Sequence, residues 1–239
     1  MRRPEELNGQ AVCAPRSFGK RLILLAAAIS TVGLTLFAAP PAARAQGRAD
    51  VVWSSASGQG LTSVAYAPDG QTVFVGQSDR AATLWRASDG ALLRRVSFGE
   101  IGCGTVNDVT YSPDSKTIAA ISGCTARLFN ASDSTLVRKL NTGGGANAFH
   151  AATSLAFSPD GQFLATAIVE AYPRRGTITL WNVLTGVQIW TASGGGGSNV
   201  AFSPDGLTIA SVGGKGLDLL RTSDGTMIRN IPGPLKARR

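Results

Sequence analysis

Four copies of one short pattern, spaced almost evenly, constrain the fold of this chain more than any other feature. Each copy is a hydrophobic segment that runs into a proline-aspartate turn: VAYAPDG, VTYSPDS, LAFSPDG and VAFSPDG. The turn prolines are 45, 46 and 45 residues apart: Pro68, Pro113, Pro159 and Pro204. A second pattern follows each copy, namely TLWRASDG, RLFNASDS, TLWNVLTG and DLLRTSDG. Two linked patterns at a fixed period indicate a repeat architecture.

Each repeat predicts four short strands joined by tight turns. In the first repeat we expect strands at Ser63–Ala67, Thr72–Gly76, Ala82–Arg86 and Leu92–Phe98, where β-branched and aromatic residues are frequent. The P-D-G and S-D-G segments supply turn residues, and turns about every ten residues predict an antiparallel meander. A lone meander cannot bury both of its faces, so the repeats must stack on one another.

The repeats resemble the WD40-repeat family of β-propellers from Val51 to about Ile231. The resemblance rests on the four proline-aspartate turns and on the residue that closes the third strand, which is Trp85, Phe129, Trp181 and Leu220 in turn. It implies an all-β, propeller-type array of four four-stranded blades, at about 51–98, 99–141, 142–192 and 193–231. The aspartate that follows the tryptophan in the family is missing, as is the Gly-His pair. We therefore do not expect the family's buried Asp–His–Ser/Thr–Trp network, and only Asp79 fits its aspartate position.

Four blades are few for this kind of propeller, so we expect them to have difficulty closing a ring and predict an open arc or a half ring. Val51–Ser54 resembles a fourth strand, as a ring-closing overlap or a longer array would produce. An open arc would expose Val64 and Tyr66 on repeat 1 and the opposite face of repeat 4. Two copies joined head to tail would then make an eight-blade ring, in which Val51–Ser54 completes a blade of the neighbour. A monomeric arc is the alternative.

The N-terminal segment has the order of features of a secretory signal peptide. Lys20 and Arg21 precede an apolar run of 18 residues, Leu22 to Ala39, and an A-x-A site follows at 43–45. We expect cleavage after Ala45 and an exported protein, periplasmic or secreted. The alternative is an uncleaved membrane anchor, the one condition under which we expect membrane association.

Net charge does not predict a nucleic-acid partner. The chain carries a formal charge of +8, but residues 1–45 hold a surplus of four positive charges and the C-terminal tail, 236–239, adds three. The propeller region, 46–235, has 14 basic and 13 acidic residues. A body so close to neutral lacks the basic patch that binds a polyanion.

Two cysteines follow the signal segment, and we predict that they form a disulfide. Cys103 and Cys124 are equidistant from the Pro113-Asp114 turn. Residues equidistant from a hairpin turn lie opposite each other, and an oxidising compartment favours the bond. Two unpaired thiols are the alternative.

A candidate partner-binding rim lies in repeat 3. The distance from the turn proline to the closing residue is 22 residues there, against 17, 16 and 16 in repeats 1, 2 and 4. The extra residues lie between the second and third strands, and their composition is typical of an interface. The predicted contacts are Glu170, Tyr172, Arg174 and Arg175; a tolerated surface insertion is the alternative.

No set of residues converges on catalysis. His150 is the only histidine, and we interpret it as a loop residue before a strand. The acidic candidates at the rim are Glu100, Asp108 and Glu170. Propeller enzymes gather carboxylates and amides at a central metal, and Asp108 with Asn107 and Asn199 could imitate that set. We predict a non-catalytic exported scaffold that binds another protein, without a cofactor. The alternative is a propeller enzyme, or a ligand- or calcium-binding protein with an axial rim site.

Overall fold

The structure is a computed structural model that describes residues 60–98, 104–143, 150–170, 175–194, 197–213 and 216–233. These residues form sixteen strands and no helix. The predicted signal segment, 1–45, and the segment Val51–Ser54 lie outside the described residues. No helix within the described part is long and apolar enough to cross a membrane.

The strands fall into four antiparallel sheets of four, which are the predicted blades. Each sheet keeps its strands in sequence order. Blade 1 holds β1 (Leu61–Tyr66), β2 (Thr72–Gln77), β3 (Ala81–Arg86) and β4 (Leu92–Ser97). Blade 2 holds β5 (Val106–Tyr111), β6 (Thr117–Ser122), β7 (Thr125–Asn130) and β8 (Leu136–Asn141). Blade 3 holds β9 (His150–Phe157), β10 (Phe163–Glu170), β11 (Arg175–Asn182) and β12 (Gln188–Gly194). Blade 4 holds β13 (Asn199–Phe202), β14 (Thr208–Gly213), β15 (Gly216–Arg221) and β16 (Met227–Pro232).

The all-β prediction is confirmed, and the strands of the first repeat begin and end within two residues of the predicted limits. Blade 4 obtains its fourth strand from its own repeat, because β16 pairs with β15. Each described sheet therefore has four strands from its own repeat. Because Val51–Ser54 lies outside the described residues, its pairing with a neighbouring blade stays a prediction.

Hydrogen bonds inside the proline-aspartate turns explain why the turn sequence recurs. In blade 3 the hydroxyl of Ser158 donates to Asp160 Oδ1 at 2.6 Å and accepts from the Phe163 amide at 2.9 Å. The same carboxylate accepts the Gln162 amide at 3.0 Å. Gly161 closes the turn with φ of 72°, a left-handed conformation that favours glycine. The hydroxyl and carboxylate bonds recur at Ser112 and Asp114 and at Ser203 and Asp205.

Three hydrophobic clusters form the core, and each lies between two successive blades. The clusters centre on Phe74 and Ile118, on Leu128 and Leu164, and on Leu180 and Ile209. The first strands of successive blades lie side by side, β1 with β5, β5 with β9 and β9 with β13. The core thus consists of blade junctions, as expected when a single sheet cannot bury both faces.

The array is open, with one exposed apolar face at each end. On blade 1, Val64 and Tyr66 are 67% and 59% exposed, while the equivalent residues of blade 2, Val109 and Tyr111, are 4% and 6% exposed. On blade 4, Ile231 is 43% exposed, while the equivalent Leu140 of blade 2 is 1% exposed. The open arc, one of the predicted arrangements, is the arrangement found.

Candidate interaction surfaces

Each blade junction repeats a hydrogen bond between a side chain and the next blade. We number positions from the turn proline of each repeat, so that position −6 is Thr62 in blade 1. At all three junctions the side chain at −6 donates to the backbone carbonyl at −7 of the following blade. The pairs are Thr62 with Val106, Asn107 with Ala152 at 2.7 Å, and Thr153 with Gly197 at 2.9 Å.

Position −5 supplies a second junction bond. Ser63 Oγ donates to Asp108 Oδ1 at 2.9 Å, and Ser154 Oγ donates to Asn199 Oδ1 at 2.8 Å. At the second junction, between blades 2 and 3, Asp108 Oδ2 accepts a hydrogen bond from the Leu155 amide at 2.8 Å. Each described junction therefore repeats the −6 bond and adds a bond from position −5, whose partner is the −5 side chain at the first and third junctions and the −4 amide at the second.

These bonds give a structural role to the three residues that could imitate the central metal site of propeller enzymes. Asp108 accepts hydrogen bonds from blades 1 and 3, Asn107 donates to blade 3, and Asn199 accepts from blade 3. Of the other two acidic rim candidates, Glu100 lies outside the described residues and Glu170 is the last residue of β10. No group of three or more metal-ligating side chains occurs among the described residues. Asp108, Asn107 and Asn199 are thus joined to neighbouring blades.

The predicted partner-binding insertion lengthens a hairpin. In blade 3 the pairing of β10 with β11 continues to Val169 with Gly176 and Glu170 with Arg175. In blade 1 the corresponding pairing ends at Gly76 with Ala82. The extra pairs carry the β10–β11 hairpin further at this end of the blade, where Tyr172 and Arg174 join the strands in sequence but lie outside the described residues.

The longer hairpin also changes the placement of His150. We predicted a loop residue before the strand, but His150 is the first residue of β9 and pairs in register with Glu170. This placement corrects the prediction, and its reason is the extra length of β10, which offers β9 additional pairing positions. One cross-strand row therefore contains His150, Glu170 and Arg175, on the same rim where the chain enters each blade.

Two tryptophans donate hydrogen bonds to threonines of their own blades. Trp85 Nε1 donates to Thr83 Oγ1 at 2.8 Å, and Trp181 Nε1 donates to Thr166 Oγ1 at 3.0 Å. Asp79, in the β2–β3 turn, is bound by Arg95. Thr166 lies in the neighbouring strand β10, whereas Thr83 lies two residues before Trp85 in β3 itself. Only the blade 3 bond therefore joins two strands of its sheet, and a search for the Gly-His pair overlooks it.

Cys124 lies in the β6–β7 turn, while Cys103 lies outside the described residues. Ser122 Oγ, at the end of β6, donates to the carbonyl of Gly104 at 2.7 Å. The residue that follows Cys103 is therefore held beside the end of the strand that leads to Cys124. This contact supports the predicted pairing, and the disulfide stays a prediction.

The fold and its junctions define an open propeller-type array of four blades. The family model described as WD domain, G-beta repeat matches residues 52–86 and 146–182. The predicted resemblance to WD40 repeats is thereby confirmed in these two stretches, which contain Trp85 and Trp181. No curated protein matches the chain.

Proposed function

We propose that this chain is an exported, non-catalytic scaffold that binds another protein through the rim formed by the blade 3 hairpin. WD40 repeats suggest an interaction scaffold in general. The observation that carries the specific proposal is the extension of β10 and β11 at one blade only, which brings Glu170 and Arg175 into one cross-strand row with His150. Tyr172 and Arg174, between these strands in sequence, add an aromatic ring and a guanidinium, both enriched in protein interfaces.

Photo-crosslinking in the source cells tests this rim directly. A photoreactive amino acid is placed at position 172, and a matched control is placed at position 187, which lies beyond the other end of β11. We expect a discrete crosslinked partner with the probe at 172 and none with the probe at 187. Replacing Arg174 and Arg175 by alanine should reduce that product. Equal crosslinking at both positions, or none at 172, would contradict the proposed rim.

The proposed export rests on the order of charge, apolar run and A-x-A site in residues 20–45. Mass spectrometry of the exported product should find Gln46 at the N-terminus or within a few residues of it. Full-length chain in the membrane fraction would instead establish an uncleaved anchor.

The alternative of an axial ligand or calcium site is the weaker candidate. Asp108, Asn107 and Asn199 already make bonds between blades, so a cation at these groups would have to compete with junction contacts. Calcium binding at millimolar or tighter affinity, measured by calorimetry and reduced by Asp108→Asn, would favour this alternative.

A further inference from the structure

We propose that the two end faces of the array bind each other between two copies of the chain, which join head to tail in a closed eight-blade ring. This inference rests on the proposed scaffold function and names one partner, a second copy. Each of the three junctions within the chain joins the outgoing face of one blade to the incoming face of the next. The observation that carries this proposal is that blade 4 has an outgoing face and blade 1 an incoming face with no blade against them.

The first match between the two end faces is the hydrogen bond from position −6, whose donor lies at the start of blade 4. Ser198 occupies position −6, where the other blades place the donor to the next blade. Within the described part of the chain its hydroxyl has no hydrogen-bond partner. Leu61 occupies position −7 of blade 1, whose carbonyl is the equivalent of the acceptor at Val106. Ser198 of one copy can therefore donate to Leu61 of the next copy.

A tyrosine and a threonine provide the most specific match. At the first junction the hydroxyl of Tyr111, at position −2, lies 2.9 Å from Oγ1 of Thr72, at position +4 of the preceding blade. Blades 3 and 4 have Phe157 and Phe202 at position −2, so this bond is confined to the first junction among those described. Blade 1 again has a tyrosine at −2, Tyr66, and blade 4 again has a threonine at +4, Thr208. The two ends thus carry the same pair as the first junction.

The apolar positions of the ends match as well. Blades 1 to 3 pack side chains of their second, third and fourth strands against the following blade, as Ile121, Leu128 and Leu140 do in blade 2. Blade 4 keeps apolar residues at the corresponding positions: Ala210, Val212, Leu217, Leu219 and Ile231. Val212 and Ile231 are exposed there, as Leu61, Val64 and Tyr66 are on blade 1. Exposed apolar faces of this kind favour burial against a partner.

The fourth strand of each blade provides one more side chain that bonds the next blade, and on blade 4 this side chain has no next blade to bond. Arg138 of β8 donates to the carbonyls of Thr185 and Leu184, at 2.9 Å and 2.6 Å, in the second turn of the next blade. Trp190 of β12 donates to the Thr222 carbonyl in the same turn of blade 4, at 2.8 Å. Arg229 of β16 holds the corresponding position at the free end. In a head-to-tail pair it faces the 87–90 turn of the neighbouring blade 1, which contains Asp89.

The shape of the two end faces and the number of blades both favour a second copy of the chain as the partner. The two faces are complementary but different, so they form a heterologous contact, which closes only when the rotation completes a ring. Propellers typically contain four to eight blades, and two chains of four reach eight. Because each copy supplies one face of each kind, the ring uses both faces of both chains.

A charge-pair experiment tests the ring and its direction. A Cβ placed on Gly76 would lie 3.0 Å from Val106 Cγ1, so position +8 of one blade meets position −7 of the next. The equivalent residues at the free ends are Val212 and Leu61. We expect the purified exported chain to have twice the mass of one chain by light scattering at micromolar concentration. Leu61→Lys and Val212→Asp should each give the mass of one chain, because both junctions of either homodimer are then impaired.

An equimolar mixture of the two variants should return to twice the mass of one chain. In the mixed ring one junction is unaltered and the other pairs Lys with Asp. Leu184→Lys and Val187→Asp, at exposed residues of the β11–β12 turn, are the matched controls and should remain paired. Circular dichroism of every variant checks that it is folded.

Three results would overturn the ring. The wild-type chain would have the mass of one chain at every concentration, or its mass would rise without a plateau, or mixing would fail to restore the pair. A face-to-face dimer is distinguished before mixing, because it uses only one kind of end face and would leave one of the two variants paired on its own. Crosslinking at position 172 reports separately on the scaffold function, so the ring can fail while the rim proposal stands.

Discussion

The hydroxyl of Tyr111 lies 2.9 Å from Oγ1 of Thr72, across the junction between blades 1 and 2. Tyr111 is 6% exposed, so this bond is made largely out of water. Burial raises the pKa of the Tyr111 phenol above 10.0, with Asp69 acting in the same direction and the Thr72 bond acting against it. Contact between blades 1 and 2 therefore depends on this hydrogen bond and on the Tyr111 phenol staying protonated.

Tyr111→Phe should lower the free energy of unfolding by about 1 kcal/mol, the net contribution of one buried hydrogen bond. Because the phenol has a higher pKa when folded than when unfolded, it also costs stability as the pH rises above 10.0. The phenylalanine variant should lose that part of the alkaline decline. Urea unfolding at pH 7 to 11 measures both effects, with Thr72→Val to complete a double-mutant cycle. Equal alkaline slopes for Tyr111→Phe and wild type would contradict the assignment.

Ser134→Gly should stabilise the protein. Ser134 adopts φ of 57°, where the other repeats place Gly90, Gly186 and Gly225, and its buried hydroxyl has no hydrogen-bond partner. Relief of about 1–2 kcal/mol of left-handed strain exceeds the extra chain entropy of glycine, about 0.5–1 kcal/mol. Thermal unfolding should show a higher midpoint for Ser134→Gly.

The matched substitution Gly225→Ala should have the opposite effect. A Cβ at Gly225 would lie 2.7 Å from the ring of Trp190, and the backbone φ there is 72°. An unfolding midpoint for Gly225→Ala at or above that of the wild type would contradict this prediction, because it would mean that the turn accommodates a Cβ beside Trp190 without strain.

Ala67→Ser should add the turn hydroxyl that blade 1 lacks. Ser112, Ser158 and Ser203 occupy the same position, before the turn proline, and each bonds the turn aspartate. We expect a gain of about 1 kcal/mol from the added bonds and a loss of similar size for Ser158→Ala, whose hydroxyl is buried. Urea unfolding measures both, and a loss of stability with Ala67→Ser would mean that the core beside Ala67 cannot admit an oxygen.

Acid should destabilise the turns in a defined pH range. The Ser158 hydroxyl and then the Gln162 amide hold the pKa of Asp160 below 3.8, and Ser112 and Lys116 do the same for Asp114. Since the folded pKa is lower than the unfolded one, the stabilisation is present above 3.8 and is lost as the pH falls through the folded value. Asp160→Asn should make the free energy of unfolding fall less steeply below pH 4. A slope for Asp160→Asn equal to that of the wild type would contradict this role of the turn carboxylate.

The Cys103–Cys124 disulfide, if formed, closes a loop of about 20 residues and should add roughly 3 kcal/mol to the free energy of unfolding. Peptide mapping of the exported protein without reduction should recover the two cysteines in one linked fragment. Cys103→Ser, or reduction, should lower the unfolding midpoint. Two freely alkylated thiols in protein purified from an oxidising compartment without reduction would contradict the pairing.

Local sequence signals predicted the strands and turns of this fold, because turn residues and β-branched segments act over a few positions. They also predicted which apolar side chains, Val64 and Tyr66, an open arc would expose. The junction bonds were missed, because Asp108 and Asn199 are ordinary polar residues until the neighbouring blade is placed against them. The insertion was predicted to lie between two strands, but its length did not show that it would continue the pairing of Glu170 with Arg175 and draw His150 into β9.

Each blade is built from one uninterrupted stretch of chain, since all four sheets keep their strands in sequence order. A propeller whose seam shares a sheet between the first and last repeats can change its number of repeats only by rebuilding that seam. Here the unit of duplication coincides with the unit of folding, so genetic loss or gain of about 45 residues would remove or add a whole blade. The surviving blades would still meet through the same −6 contacts, so the number of blades could change without any sheet being rebuilt.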